Sequence, residues 1–149
     1  MEMTQSTYKA GFIALIGPPN AGKSTFLNAV LGEKIAIVSP KPQTTRTSIT
    51  GIHSSPTEQV VFLDTPGIHA ARGKLNRFLV DAAWGAVREA NGVILFLDGA
   101  RYAGNEQALA RELLPLSAKL ATLGVPMTVA LNKVDLVKPK ERLLGLLAH

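Results

Sequence analysis

Cysteine is absent from the sequence. That excludes a disulfide framework and thiolate metal sites, and it fits a reducing compartment such as the cytoplasm. The opening stretch, MEMTQSTYKA, lacks the apolar segment behind a basic start that marks a secretory leader. The longest apolar runs, such as residues 92–100, are strand-length, far short of the ~20 residues a membrane-crossing helix needs. There is no internal repeat and no low-complexity stretch. His53, His69 and His149 stand too far apart to share metal-ligand spacing and read as structural or surface residues. Charge is not clustered either. The formal balance of +5 is spread along the chain, which suits a polyanionic partner such as RNA or an anionic membrane surface, and suits a plain solvated surface equally well.

What is present is enough for one packed domain. The chain has 149 residues, 46% hydrophobic and 18% charged, which allows a substantial core. Short β-rich runs alternate with helical patterns, the signature of a layered α/β fold with a mainly parallel sheet. Phe12–Ile16 reads as a buried first strand and Ser24–Leu31 as the helix after it. Lys34–Thr47, with two prolines among Ser, Thr and Gln, reads as loop. Ser48–His53 and Gln59–Asp64 are expected strands joined by a turn at Ser54–Glu58. Leu75–Ala90 is helical in pattern, and Val93–Asp98 is another buried strand. Asn105–Leu123 reads as one long amphipathic helix, N-capped by Asn105 and stopped by Gly124. Pro126–Leu131 is a fifth strand, and Lys138–Leu147 a short helical end. Trp84 and Phe78 lie on a helical pattern and read as core rather than as a stacking platform for bases.

Three motifs carry chemistry. The first, Gly17-Pro18-Pro19-Asn20-Ala21-Gly22-Lys23-Ser24, lies between the first strand and the first helix. Its glycines let backbone N–H groups turn inward around phosphate oxygens, and the helix start adds its positive dipole end. In this G-x-x-x-x-G-K-[ST] spacing, Lys23 reaches the β- and γ-phosphates, the Ser24 hydroxyl ligates Mg²⁺, and Thr25 extends the cradle. The second motif, Asp64-Thr65-Pro66-Gly67, follows an apolar strand. An acid at a strand tip beside such a loop can hold Mg²⁺, usually through a water, and the Gly67 N–H can sense a γ-phosphate. Between the two lies Pro42-Gln43-Thr44-Thr45-Arg46, where Thr45, or its neighbour Thr44, can complete the metal shell.

The third motif, Asn132-Lys133-Val134-Asp135, ends the fifth strand. Asp135 can accept hydrogen bonds from guanine N1–H and N2–H₂. Adenine would leave that carboxylate desolvated and unpaired, which is a strong basis for rejecting it. Asn132 can support the loop and the other base edge, and the Lys133 stem can lie over the purine face.

With these motifs in place, the chain resembles the Era family of bacterial Ras-like P-loop GTPases, over about residues 8–137. The resemblance rests on Gly11–Gly17, Pro19–Thr25, Leu31–Ile35, Asp64–His69 and Asn132–Asp135. The run Ile37–Arg46 is the most distinctive part, and Thr47 after Arg46 favours Era over relatives that carry Asp there. The fold implied is a three-layer α/β sandwich of the P-loop NTPase type, with residues 1–8 as a tail and 9–149 as the G domain. Era proteins carry a KH domain that binds the 3′ region of 16S rRNA, assist maturation of the small ribosomal subunit, and can associate peripherally with the inner membrane. The resemblance therefore implies GTP and GDP as ligands, Mg²⁺ as cofactor, ribosomal RNA as partner and a cytoplasmic place.

Measured against that pattern, the last strand, the last helix, a Ser-Ala-type guanine-supporting loop and the KH domain are not seen after Asp135. The strand at 126–131 is then expected to be an open, apolar edge. The catalytic set implied is Lys23, Thr45, Gly67 and Asn20. In some relatives an Asn at the position of Asn20 binds K⁺, which extends the same expectation to this chain. Ile68 stands where many GTPases carry a Gln that orients water, so the intrinsic rate is expected to be slow. Two other readings stay open beside an active switch: a module that binds nucleotide with little turnover, and an inert fragment whose basic surface touches RNA.

Overall fold

The computed structural model describes residues 8–32, 49–65, 67 and 74–147, without the side chains of 49–50, 74–79 and 147. The loop expected at 34–47, with Thr44 and Thr45, lies outside them, as do Pro66, Ile68, His69, His149 and the side chain of Phe78.

The apolar runs become strands β1 (Lys9–Ile16), β2 (Ile49–Ser54), β3 (Glu58–Asp64), β4 (Gly92–Asp98) and β5 (Met127–Asn132). They form one five-stranded sheet in the order β2-β3-β1-β4-β5. β1 runs parallel to β3 and β4, and β4 runs parallel to β5. β2 alone is antiparallel, folded back on β3. The hairpin turn is closed by Ser55, whose hydroxyl accepts from the Glu58 N–H at 3.1 Å while its own N–H donates to the Glu58 carbonyl at 2.8 Å. A central parallel strand is covered on both faces, and accordingly Ala14, Leu15 and Ile16 at the end of β1 are fully buried.

Period-two alternation sends these side chains into two cores. On one face Leu15, Phe62 and Phe96 pack with Ala21 and Leu27 beneath α1 (Lys23–Leu31). Phe26 of α1 meets Phe62 edge-on, with ring centres 6.3 Å apart, and Phe96 at 5.3 Å. On the other face Ala14, Ile16, Val93, Leu95 and Leu97 pack against α2 (Lys74–Glu89) and a helical stretch at 106–121. Trp84 belongs to this second core, with the Lys119 ammonium 4.0 Å from its ring centre. The result is the three-layer α/β sandwich with a mostly parallel sheet that the sequence predicts.

Where the sequence predicts one uninterrupted helix from Asn105 to Leu123, the chain forms three pieces. These are α4 (Glu106–Ala108), a π-turn (Leu109–Leu113) and α5 (Leu114–Ala121). The Asn105 side chain caps the start, accepting from the Ala108 N–H at 3.0 Å. The interruption has a covalent cause: Pro115 has no N–H to give to the preceding turn and crowds the carbonyl four residues back. The Leu114 N–H therefore reaches the Leu109 carbonyl, five residues back, and the helix widens for one turn.

A short helix between β4 and α4, α3 (Gly99–Tyr102), is not legible in hydrophobic periodicity because it is a single turn. It is braced from the side. Arg101 donates to both Glu112 carboxylate oxygens, at 3.0 and 2.9 Å, and the Tyr102 hydroxyl donates to the same group at 3.0 Å. The hydrogen bonds from Arg101 hold the Glu112 carboxyl down to about 2. Burial and that carboxylate push the Tyr102 phenol up to about 12.

Among the described residues β5 is an edge strand, and it is apolar where it is exposed: Val129 is 51% exposed and Met127 40%. An edge that presents unpaired backbone groups beside apolar side chains invites pairing with another strand. Val129→Lys should delay concentration-dependent association of the 149-residue chain, read by light scattering, while changing unfolding stability by no more than ~0.5 kcal/mol. An unaltered association onset would remove β5 as its source.

Candidate functional site

The C-terminal ends of parallel strands β1, β3, β4 and β5 converge on one rim, the usual place for a ligand in an open α/β sheet. The loop from Gly17 to Gly22 leaves β1 there and returns into α1. Its path needs unusual backbone: Asn20 has φ 60° and Gly22 φ 100°. At Gly22 the demand is also spatial, since a Cβ would lie 2.1 Å from the Asn132 Nδ2.

Lys23 opens α1 and turns its side chain back into the loop. Its ammonium donates to the carbonyls of Gly17 at 3.1 Å and Pro18 at 2.9 Å, and the residue is only 6% exposed. Burial pulls this ammonium down from 10.5 to about 8, opposed in part by the negative charge of Asp64. An ammonium has three N–H groups, and two are engaged among the described residues, so one remains for an anion.

Asp64, at the tip of β3, is 1% exposed. Its Oδ2 accepts from the Ser24 hydroxyl at 2.6 Å, whereas its Oδ1 is buried with no hydrogen-bond partner among the described residues. Burial raises the carboxyl above its ordinary value, against the opposing pull of Ser24 and Lys23. An orphaned buried polar atom costs roughly 1–3 kcal/mol, and more when the group carries charge. With a hydroxyl beside it, this is an oxygen-only donor set of the kind Mg²⁺ takes, so the residues present fit that ion.

The neighbours of Asp64 serve the loop in different ways. The buried Thr65 hydroxyl donates to the Leu15 carbonyl at 2.7 Å, so this side chain ties β3 to β1. Gly67 approaches the loop so closely that a Cβ would sit 2.5 Å from the Pro19 nitrogen. Asn20 and Thr25 are exposed on the loop and on the first turn of α1.

The third motif arrives from β5. Asn132 donates from Nδ2 to the Ala21 carbonyl at 2.9 Å, which fastens the end of β5 to the glycine-rich loop. Lys133 adopts the left-handed region, φ 56°, and its ammonium reaches the Asp98 Oδ2 at 2.6 Å. Asp135 is exposed in the turn Val134–Leu136. Lys23, Ser24, Asp64, Gly67 and Asn132 are thus gathered around one loop, with Lys133 adjoining. Thr45 and Pro66 lie outside the described residues. Asp98 is left unassigned by sequence reasoning, although it repeats the pattern seen at Asp64, a buried apolar strand that ends in an acid.

Comparisons with known proteins show the family. The model of the 50S ribosome-binding GTPase family matches residues 12–133. The chain is 50% identical to GTPase Era of Nitratidesulfovibrio vulgaris (strain DP4), over 97% of its own length and 47% of the relative's. Among solved structures it superimposes on Aquifex aeolicus Era bound to GDP and AlF4⁻ with a TM-score of 0.73 and 33% identity, over 94% of this chain and 46% of that one. An Era structure in complex with MgGDPNP and a 16S ribosomal RNA segment gives a TM-score of 0.74 and 34% identity, over 95% and 46%. The chain spans about half the length of the curated relatives it matches.

Because Gly22 lies under Asn132, the two loops are mechanically one unit. Gly22→Ala should destabilise the fold by about 1–3 kcal/mol, through backbone strain and the clash, in a thermal or urea denaturation. Adding Asn132→Ala to it removes the clashing amide and should recover part of the loss. No recovery would show that the contact is not the cause.

Proposed function

We infer the function from one premise, that the chain belongs to the 50S ribosome-binding GTPase family and is Era-like in sequence and fold. It binds GTP through residues 17–25, hydrolyses it to GDP and phosphate, and serves as a nucleotide-controlled switch in maturation of the small ribosomal subunit. The observation that carries this reading is the buried Lys23 ammonium beside Asp64 and Ser24, with the Asn132-Lys133-Val134-Asp135 segment fastened to the same loop.

The chemistry is in-line attack of water on the γ-phosphorus, with the bond to the β-phosphate oxygen breaking and the water proton passing to the released phosphate. The chain's part is mostly positioning and charge stabilisation. Lys23 keeps two carbonyl bonds and turns its third N–H toward the β- and γ-oxygens. Backbone amides of Asn20 to Thr25 supply further donors. Ser24 and Asp64, with Thr45, are the residues to hold Mg²⁺, which supplies charge neutralisation between the phosphates when bound. Asp135 reads guanine, Asn132 holds the reading loop to the phosphate loop, and the Gly67 N–H reports the γ-phosphate. Asn20 is the candidate K⁺ ligand.

The ribosomal role is supported by an Era neighbour solved with a 16S ribosomal RNA segment. The cytoplasm, with peripheral contact at the inner membrane, is the place that goes with it. A second reading, nucleotide binding with little turnover, is favoured by one observation: Ile68 follows Gly67 and offers water no hydrogen bond.

Titration with mant-GDP and single-turnover phosphate release separate the two readings. Binding with phosphate release supports the switch, whereas binding alone leaves the second. Running the release in K⁺ and in Na⁺ tests Asn20, and equal rates remove its role. Lys23→Ala should weaken nucleotide binding by roughly ten- to a hundredfold, the range of a lost charge-assisted hydrogen bond. Unchanged affinity would refute the site. Asp135→Asn exchanges an acceptor for a donor and should move preference from GTP toward XTP. Unaltered selectivity would mean that the base is read elsewhere.

A further inference from the structure

Asp98 is the terminal residue of β4 and lies level with Asn132 in the parallel β4–β5 pairing. Its carboxylate has two partners. Oδ1 accepts from the Arg101 N–H at 3.1 Å and caps α3, while Oδ2 accepts from the Lys133 ammonium at 2.6 Å. The Asp98 side chain is 15% exposed and that of Lys133 32%, so the pair lies half-sunk in the rim. The backbone is fitted to the same end. The residue after Asp98 is Gly99, where a Cβ would lie 3.0 Å from the Asn132 carbonyl, so a side chain there would make the close approach of α3 to the end of β5 give by a few tenths of an ångström. α3 is in turn held to the π-turn by the Arg101–Glu112 and Tyr102–Glu112 bonds.

A lysine stem is long and flexible, and its tip is strongly hydrated. Left free beside a base, it would have to be ordered each time a ligand arrives. Anchoring the tip makes the four-carbon stem a preformed apolar surface, and preorganisation of this kind appears as slower release. We infer that Asp98 is a positioning residue for purine recognition: it holds Lys133 extended from below so that the Lys133 stem forms one wall of the base pocket. The inference rests on the nucleotide-binding reading above and adds to it a residue outside the three motifs.

Asp98→Asn is the informative variant, since the amide oxygen still caps Arg101 while the charge facing Lys133 is gone. Lys133→Met keeps an apolar stem and removes the charge it must anchor. Stopped-flow release of mant-GDP is measured for the wild-type chain, each single variant and the double variant. Asp98→Asn should speed release by about three- to tenfold, and in the Lys133→Met background it should add nothing. Affinity for pyrophosphate, measured by competition, should stay level, because it has no base to position. A general loosening of the fold would weaken both ligands. Wild-type release rates in Asp98→Asn, additive effects in the double variant, or an equal loss of pyrophosphate affinity would each overturn the assignment while leaving nucleotide binding in place. A wild-type chain that binds no mant-GDP would remove the inference together with the reading beneath it.

Discussion

The site is organised around the burial of one ammonium. Lys23 is brought out of water at the first turn of α1 and faces two backbone carbonyls and, farther off, a carboxylate. Burial holds it at about 8 instead of 10.5, which corresponds to on the order of 3 kcal/mol disfavouring the charged form. The sign follows from proton binding. Below about pH 8 the folded chain carries a charge it has paid to desolvate, and between about 8 and 10.5 the unfolded chain binds the extra proton, so this penalty fades as pH rises. A polyanion arriving at neutral pH relieves the same penalty directly. Folding energy invested at Lys23 is thus recoverable as binding energy for phosphate.

Everything near Lys23 serves to keep that arrangement from collapsing. The Gly17–Gly22 loop can wrap inward only because Gly22 accepts a positive φ and leaves room for the Asn132 amide. Thr65 locks the end of β3 to β1, so Asp64 cannot drift from Ser24. The Asn132–Ala21 bond spans 111 residues of sequence and ties the end of β5 to the glycine-rich loop, so that the two move together. These are rigid-scaffold effects: parallel strands deliver each loop to the same rim, and cross-strand bonds fix their spacing.

Much of this was legible in the sequence, for physical reasons that can be named. Parallel strands that end in the core write themselves as continuous apolar runs, so β1, β3 and β4 could be read to within a few residues at each end, and β5 could be read the same way because it stays apolar although it lies exposed at the edge. The loop after β1 could be read because phosphate chemistry demands glycines and a lysine at fixed spacing. Asp98 could not, because its function is a distance to Lys133, 35 residues away, and no periodicity encodes that. The π-turn was hidden for a different reason. Pro115 signals an interruption, but whether a helix ends, kinks or widens there depends on what packs around Leu109 and Leu113, both buried against the sheet.

The Lys133–Asp98 pair makes little sense as a stabiliser. With Lys133 about a third exposed, such a pair contributes roughly 0–1 kcal/mol, against up to ~2 kcal/mol of side-chain rotamer entropy that ordering a lysine puts at stake. Lys133 also holds a left-handed backbone, which a non-glycine residue adopts at a further cost of about 1–2 kcal/mol. A chain selected only to fold would gain by relaxing both. Strain that persists where the surrounding contacts enforce it is the mark of a site arranged for a ligand. The enforcing contacts here are Asn132 on the phosphate loop, Gly99 against the Asn132 carbonyl, and α3 braced through Glu112. They tie the rim at β4 and β5 to the core behind it, so that, on the proposed reading, the ordering cost of Lys133 is met once, during folding, and not again at each binding event.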